Sequence, residues 1–242
     1  LKLSFSDNTK EEFDYIVAAD GVYSRTKEIL FKKEGTPKYF NSIALRGNIQ
    51  NFENLDISLY LGSNFHFVIY PINQNNEFNF ISIVRKKLVE SEISNRSLFK
   101  DKSFINNLMS QISSKSDLNL TELVNEIKCF PIFVSKKIKI PSNKNIFLMG
   151  DAFFSFPPSF AQGASQSIES ANDLFNDLNN NLSNYYKKRV LKTKQINSRS
   201  SINHHAFHIA NPLNVFFRNI FLKYLSKNKN FLENYLGKIY KN

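Results

Sequence analysis

The sequence predicts an α/β fold of the mixed α+β kind, on three observations. A strand, a tight turn and a short helix follow one another between Tyr15 and Leu30. A second apolar strand, Ile146 to Met149, runs through Gly150-Asp151 and on into another helix. Between the two lies a succession of strands joined by short turns, from Ser42 to Val84. Strands that follow one another through short turns pair antiparallel, whereas strand-turn-helix units feed a parallel layer. The expected architecture is a partial parallel layer with an inserted, mainly antiparallel sheet and a helical C-terminal tail. The corresponding segments are 1–40, 41–135, 136–182 and 183–242.

Each element follows from local chemistry. Leu1, Leu3 and Phe5 alternate with polar residues, and Ser6-Asp7-Asn8-Thr9 is turn-forming, so a hairpin leads into the strand Tyr15 to Ala19. Asp20-Gly21 ends that strand, and Ser24 is placed to cap a helix through Lys27, Glu28, Ile29 and Leu30. The runs "SIALRGNIQ", "ISLYLG", "FHFVIYPI" and "EFNFISIVRK" read as strands, with Asn73 to Asn76 turning between the last two. From about Ser97 to Ile127, Phe104, Leu108 and Ile112 fall at helical spacing. A strand near Phe130 to Val134 follows, then the strand at Ile146. The helix after Gly163 is expected to be carried by Ile168, Ala171, Leu174 and Leu178, with Asn179 to Asn181 as a polar bridge to the tail.

Composition narrows the function classes. A chain of 242 residues, 42% hydrophobic and 14% aromatic, can bury a core and is not generally disordered. Its apolar runs are far shorter than the roughly 20 residues of a membrane span. The single cysteine, Cys129, offers no intrachain disulfide and reads as a small buried hydrophobe, which points to a reducing, cytoplasmic setting. The net charge of +11 is localised: residues 174–242 carry +10 and the rest +1. A general nucleic-acid face is therefore not expected. Abundant Lys, Asn, Ile and Phe is also what an AT-rich coding sequence produces.

In the tail, Leu213, Phe216, Phe217, Ile220, Phe221, Tyr224 and Leu225 recur at i, i+3, i+4, i+7 spacing, and Pro212 suits the first helical turn. The stripe reads first as a core face. The alternative is a basic amphipathic helix making a peripheral contact with the inner face of a membrane.

The junction "NIFLMGDAFFSFPPSFAQGASQSIESANDLF" carries the densest chemistry. Asp151 stands at the carboxyl end of a buried strand, where α/β sheets bind ligands, and an ionised carboxylate there accepts from sugar hydroxyls. Gln162-Gly163-Ala164 opens a helix whose free amides and positive dipole end favour an anion. Pro157 and Pro158 stiffen the connection, and Gly163 lets a flat ring approach the main chain. Together these residues describe a seat for a flavin.

Here the sequence resembles the FAD-dependent aromatic hydroxylases of the para-hydroxybenzoate hydroxylase type, especially the salicylate-hydroxylase-like branch. "LMGDAFFSFPPSFAQGASQSIESA" is similar to that family's second flavin motif, and "DYIVAADGVYSRTKEIL" to its Asp-Gly motif, with Lys27 where arginine is usual. The resemblance extends from Leu1 to about Ala210. It implies a partial FAD/NAD(P)-binding Rossmann-like domain with an inserted substrate domain, and a single-component monooxygenase that uses FAD, NADH or NADPH, and O₂. It also implies roles: Asp151 on the ribityl chain; Pro158, Gln162, Gly163 and Ala164 along the isoalloxazine; Asp20 and Gly21 near the pyrophosphate and the nicotinamide path. Gly150 and Ser165 complete the expected cofactor-binding set. Phe154, Ser165 and Ser170 depart from the family's histidine, asparagine and aspartate, so the resemblance implies the flavin seat and not a particular substrate. No GxGxxG is present, so an N-terminal unit of roughly a hundred residues or more is expected outside this chain, and the piece alone is expected to bind FAD poorly.

The candidate substrate residues are His66 and Tyr70, on one face of a strand, and Arg46, whose guanidinium suits a carboxylate. His204, His205 and His208 include an i, i+4 pair with no acidic partner nearby, so no metal is expected. Three functions remain open: hydroxylation of an aromatic or related conjugated small molecule; a membrane-associated flavoprotein acting on a quinone precursor or a prenyl chain; and a non-catalytic binding module of the same fold.

Overall fold

The computed structural model describes residues 1–242 except 55, 74, 75, 181–183, 238 and 240–242; the side chains of 179 and 180 are also outside the description. Gln74 and Asn75 of the expected hairpin turn, and Asn181 of the polar bridge, therefore lie outside the described residues. In chain order the elements are β1 (Lys2–Ser4), β2 (Lys10–Glu12), β3 (Ile16–Ala18), α1 (Arg25–Phe31), β4 (Lys38–Gln50), β5 (Ser58–Gly62), β6 (Phe65–Pro71) and β7 (Glu77–Arg85). Then come α2 (Glu90–Ser94), α3 (Lys102–Ser113), α4 (Leu120–Leu123), β8 (Asn125–Val134), β9 (Ile146–Leu148), α5 (Gly163–Asn180), α6 (Tyr185–Phe207), α7 (Pro212–Leu225) and α8 (Lys229–Leu232). Contacts divide the chain into one compact unit of Leu1–Lys38 and Phe133–Ser200 and a second of Tyr39–Ile132 and Ser201–Asn242.

In the first unit the Asp7 carboxylate accepts from the Thr9 amide at 3.0 Å, closing the β1–β2 hairpin as a side-chain-supported turn. β3 and β9, far apart in sequence, pair in parallel with Ile16 opposite Ile146 and Ala18 opposite Leu148. Both run into glycine turns and then helices, as the sequence predicts. Ala18, Leu148, Phe153 and Phe154 form a small core, against which Leu30, Phe31, Tyr186 and Val190 pack. Two adjacent tyrosines fasten α6 to β9. The Tyr185 hydroxyl donates to the Leu148 carbonyl at 2.9 Å, and the Tyr186 hydroxyl accepts from the Leu148 amide at 2.9 Å.

The second unit is built on a five-stranded sheet, β5-β6-β7-β4-β8, with antiparallel pairing across β5, β6, β7 and β4. Successive side chains of a strand point to opposite faces. On one face Leu45, Ile49, Phe65, Phe67, Ile69, Phe78 and Phe80 meet Ile105, Leu108, Met109 and Ile112 of α3 in the main core. Asp101 caps α3 by accepting from the Phe104 amide at 2.9 Å.

Three expectations are corrected. The helical stretch ends before Ile127, because β8 already starts at Asn125. Ile127 and Cys129 face the core while Lys128 and Phe130 point out, a period of two that the short helix α4 cannot continue. α5 forms as expected but turns the other way: Ile168 and Phe175 are 73% and 65% exposed, Ala171 and Leu178 are also exposed, and the buried side is Gln166, Ser170, Leu174 and Asp177. The stripe on α7 is likewise not covered by the described residues. Leu213, Phe216, Phe217, Ile220, Phe221 and Tyr224 are exposed, and the half-buried residues are Val215, Arg218 and Leu225. Arg218 donates to the Ala206 carbonyl at 3.4 Å, so this helix docks through a cation on the last turn of α6 and leaves its apolar stripe outward.

Candidate cofactor site and substrate sheet

The two glycine-aspartate turns of the first unit are held by distinct devices. At the first, Gly21 has φ +76°, a left-handed conformation that disfavours any side chain, and its carbonyl accepts from the Ser24 amide at 3.1 Å. The Ser24 hydroxyl then caps α1 by accepting from the Lys27 amide at 2.9 Å. The Asp20 carboxylate accepts from the Thr26 amide at 3.0 Å. Burial pushes this acid up, but hydrogen bonds from Ser24 and Thr26 outweigh it and hold the carboxyl below its ordinary range. Asp20 therefore stays ionised at the mouth of α1.

At the second turn, Gly150 has φ +56°, and a Cβ there would stand 2.7 Å from the Ser167 Oγ of α5. Both the backbone conformation and the close approach of α5 exclude a side chain. The Phe153 and Phe154 amides each donate to the Gly150 carbonyl at 3.0 Å, which winds the chain into a tight turn and projects Asp151 outward, where it remains open to solvent. Partial desolvation raises the Asp151 pKa, and the charge on Lys27 opposes that rise.

After the prolines the chain makes one short turn, Pro158 to Phe160, and passes through Ala161 at φ +51°, where a residue with a Cβ costs about 1 kcal/mol. That strained residue aims α5. The first helical bond joins the Gln166 amide to the Gln162 carbonyl at 2.9 Å, so the amides of Gly163, Ala164 and Ser165 precede the helix ladder and are not used by it. Gly150, Asp151 and Gly163 line one crevice with Gln166, Ser170 and Arg189. Its volume, about 10 Å³, admits no more than a water, so Asp151 and Gly163 stand at a shallow rim and not in a deep cavity. A Cβ on Gly163 would meet no protein atom within 4 Å; the chain itself does not explain the missing side chain. Pro158 and Ala164 are also exposed there, Ser165 is half-buried and Gln162 is buried. A solvent-facing carboxylate, uncommitted amides and a glycine with open space above it fit a flavin and its ribityl chain.

Sequence reasoning missed the two cations that position this rim. Lys27, only 4% exposed, reaches from α1 to donate to the Phe153 carbonyl at 2.8 Å and to the Ser135 hydroxyl at 3.2 Å. It thereby ties the first glycine turn to the second. Burial lowers its pKa to about 8, with Asp151 acting in the opposite sense. Arg189 of α6, 2% exposed, donates to the Gln166 side-chain oxygen at 2.7 Å and pairs with Asp173 at 3.1 Å and Glu169 at 3.3 Å. Gln166, Glu169, Ser170, Asp173 and Asp177 recur at helical spacing, and that polar stripe was the available signal. Two of the three family departures are structural here: Phe154 packs in the small core, and the Ser170 hydroxyl shares a 2.8 Å bond with Tyr185. Ser165 is half-buried in the first turn of α5.

In the second unit, strand register brings the three substrate candidates to one face. His66 lies opposite Ile83, which lies opposite Ala44; Tyr70 lies opposite Asn79, which lies opposite Asn48; Arg46 lies opposite Ile81, which lies opposite Val68. This is the face turned away from the α3 core. Arg46 is exposed and Tyr70 half-buried. His66 is not free to meet a ligand: its Nδ1 is 2.7 Å from the His208 Nε2, and Phe207 stands edge-on to its ring. Burial lowers the pKa of His66 to about 3, of His204 to about 4 and of His208 to about 2; the neighbouring imidazoles oppose one another's protonation, and Arg85 adds to the effect at His204 and His208. Among the described residues no three His, Cys, Asp or Glu side chains are placed to hold a metal ion.

Comparison with known proteins adds an independent finding. The family described as FAD binding domain matches residues 5–204. The chain belongs to that FAD-binding family. FAD is accordingly the family's cofactor, and the sequence motifs named above fall inside the match. The 3-amino-4-hydroxybenzoate 2-monooxygenase PtmB3 of Streptomyces platensis is 24% identical over 225 residues, 86% of this chain and 55% of that protein. The 6-hydroxynicotinate 3-monooxygenase of Bordetella bronchiseptica is 25% identical over 190 residues, 71% of this chain and 45% of that protein. The chain thus spans about half the length of these curated relatives. Among solved structures, Klebsiella pneumoniae HpxO complexed with FAD and uric acid superposes with a TM-score of 0.77 at 15% identity, covering 99% of this chain and 63% of that one. A salicylate hydroxylase substrate complex gives 0.74 at 17% identity, covering 98% and 66%. These likenesses establish the fold.

Proposed function

We propose that the protein is an FAD-dependent monooxygenase that hydroxylates an aromatic or related conjugated small molecule with NADH or NADPH and O₂. The observation that carries the reading is the rim that Asp151 shares with Gly163, the residue that opens α5 and whose amide precedes the helix ladder. FAD supplies the redox and oxygen chemistry when bound. The chain's own residues do the positioning. Asp151 accepts from ribityl hydroxyls, the amides and dipole of α5 favour negative charge on the ring, and Pro158, Gln162, Gly163, Ala164 and Ser165 border it. Asp20 and Gly21 border the pyrophosphate and the nicotinamide path. Gly150 sets the turn that presents Asp151.

The first unit then serves the cofactor and the sheet of the second serves the substrate, with Arg46 and Tyr70 as the groups available on its open face. Arg46 suits a substrate carboxylate; curated relatives act on 3-amino-4-hydroxybenzoate and 6-hydroxynicotinate. The exposed stripe of α7 supports a second reading, in which the substrate is a membrane-borne quinone precursor or prenyl chain. The test is oxidation of NAD(P)H by the purified full-length protein with FAD, screened over phenols and aromatic carboxylates. Stimulation and a hydroxylated product are expected. A protein that takes up FAD but is stimulated by none of them has a different substrate class, and one that takes up no FAD is not this enzyme.

A further inference from the structure

Six large apolar side chains of α7 stand exposed on one face: Leu213 at 64%, Phe216, Phe217, Ile220, Phe221 and Tyr224. Their spacing, i, i+3, i+4, i+7, i+8, i+11, makes a continuous stripe about 17 Å long on a rigid scaffold. The helix is well formed on its own account. Asn211 caps it by accepting from the Leu213 and Asn214 amides at 3.0 and 3.3 Å, and Pro212 occupies its first turn. A contiguous exposed apolar patch of this kind marks an interaction surface.

Charge selects the partner. Between Asp177 and Glu233 the sequence holds ten Lys and Arg and no acidic residue. Arg218, Lys223, Lys227 and Lys229 lie on or just after α7. A second copy laid on this face would bring like charges together, and a nucleic acid would leave the phenylalanines and isoleucine without apolar cover. Among the described residues no helix is long and apolar enough to cross a bilayer. We propose that α7 is an interfacial docking helix that seats Phe216, Phe217, Ile220 and Phe221 among the acyl chains of an anionic lipid surface, with Lys223, Lys227 and Lys229 at the phosphate level. Tyr224, an amphipathic ring at the end of the stripe, suits the headgroup boundary. The inference stands apart from the flavin reading, because it is read from binding and not from turnover.

The test is co-sedimentation of the full-length protein with vesicles of phosphatidylcholine alone or mixed with phosphatidylglycerol. Binding to the mixed vesicles is expected, weakening as salt is raised. Each of Lys223→Gln and Lys227→Gln should weaken it about fivefold on anionic vesicles. The triple change Phe217→Ser, Ile220→Asn, Phe221→Ser should abolish it at any salt while leaving the far-ultraviolet spectrum unchanged, since all three side chains are already in water. Equal binding to uncharged vesicles, or no binding to either, overturns the proposal. So does a full-length protein in which a thiol-reactive dye cannot reach Ile220→Cys without vesicles, or a dimer that the triple change dissociates, because the stripe is then covered by protein.

Discussion

Two helices of similar amphipathic sequence, α3 and α5, are used in opposite ways. α3 buries its apolar side, Ile105, Leu108, Met109 and Ile112, against a sheet. α5 buries a largely polar side, held by Arg189, and leaves Ile168 and Phe175 largely exposed. Apolar burial is non-directional and tolerant of small shifts, whereas charge-assisted bonds fix a helix in rotation and along its axis. α3 is thus scaffold. α5 is aimed, so that its free amides and Gly163 arrive beside Asp151.

The sharpest test of that contrast compares a truncation in each helix contact. Arg189→Ala should cost about 4 kcal/mol of unfolding free energy, because it leaves Asp173 without its buried cation, while Glu169 keeps Lys192 at 3.1 Å. It should also weaken FAD binding at least tenfold. Leu108→Ala should cost about 3 kcal/mol through a cavity, with FAD affinity unchanged. Denaturant titration and flavin fluorescence read both; equal loss of affinity in the two variants would erase the distinction.

Titration sharpens it further. His66, His204 and His208 all have folded-state pKa values below the ordinary 6.5, so the unfolded chain binds more protons as pH falls from about 6.5 toward 4, and stability falls with it. Arg85, 3.4 Å from the His204 Nε2, is the charged group at this cluster, and His205 adjoins His204. At pH 5, His208→Gln should recover on the order of 2 kcal/mol of the loss. An acid profile identical to the parent's would show that the rings are not buried as described.

Lys27 gives the smaller effect, in the other direction of pH. Its folded pKa of about 8 lies below the ordinary 10.5, so its burial costs most below pH 8, and that cost is relieved as pH rises from about 8 to 10.5. Cys129, pushed up to about 12, and the half-buried Tyr39 and Tyr186, also pushed up by desolvation, act oppositely at high pH. The difference between the parent and Lys27→Met isolates the lysine. The parent should gain about 1 kcal/mol relative to the variant between pH 8 and pH 9. Parallel curves would mean that the lysine titrates normally.

The legible parts of the molecule were those written in adjacent residues. Ser24 three residues before Lys27, Asp7 two before Thr9, and the glycines of the two aspartate turns are local signals, and the structure uses each as read. The strands of the five-stranded sheet followed from alternation. What escaped was decided across long separations. Nothing near Lys27 announces that its amine will meet a carbonyl 126 residues away. Nor does anything near Tyr185 and Arg189 show that α6 will present an arginine to α5. The burial of α5 was misread because apolar count was taken as the guide to its inner face, when a buried cation made the polar stripe the inner one. For His66, one of three candidates on the substrate face, the partner His208 lies 142 residues on and nothing near it in sequence announces the pairing.

The most direct measurement of the central claim is an FAD titration of the full-length protein carrying Asp151→Ala, with Asp151→Asn beside it. The Asp151 carboxylate is already exposed, so neither change should disturb the fold. Loss of a charge-assisted bond to a sugar hydroxyl predicts at least a tenfold weaker Kd for Asp151→Ala and a partial recovery for Asp151→Asn. Affinity unchanged in both variants would contradict the assignment of this rim to the flavin.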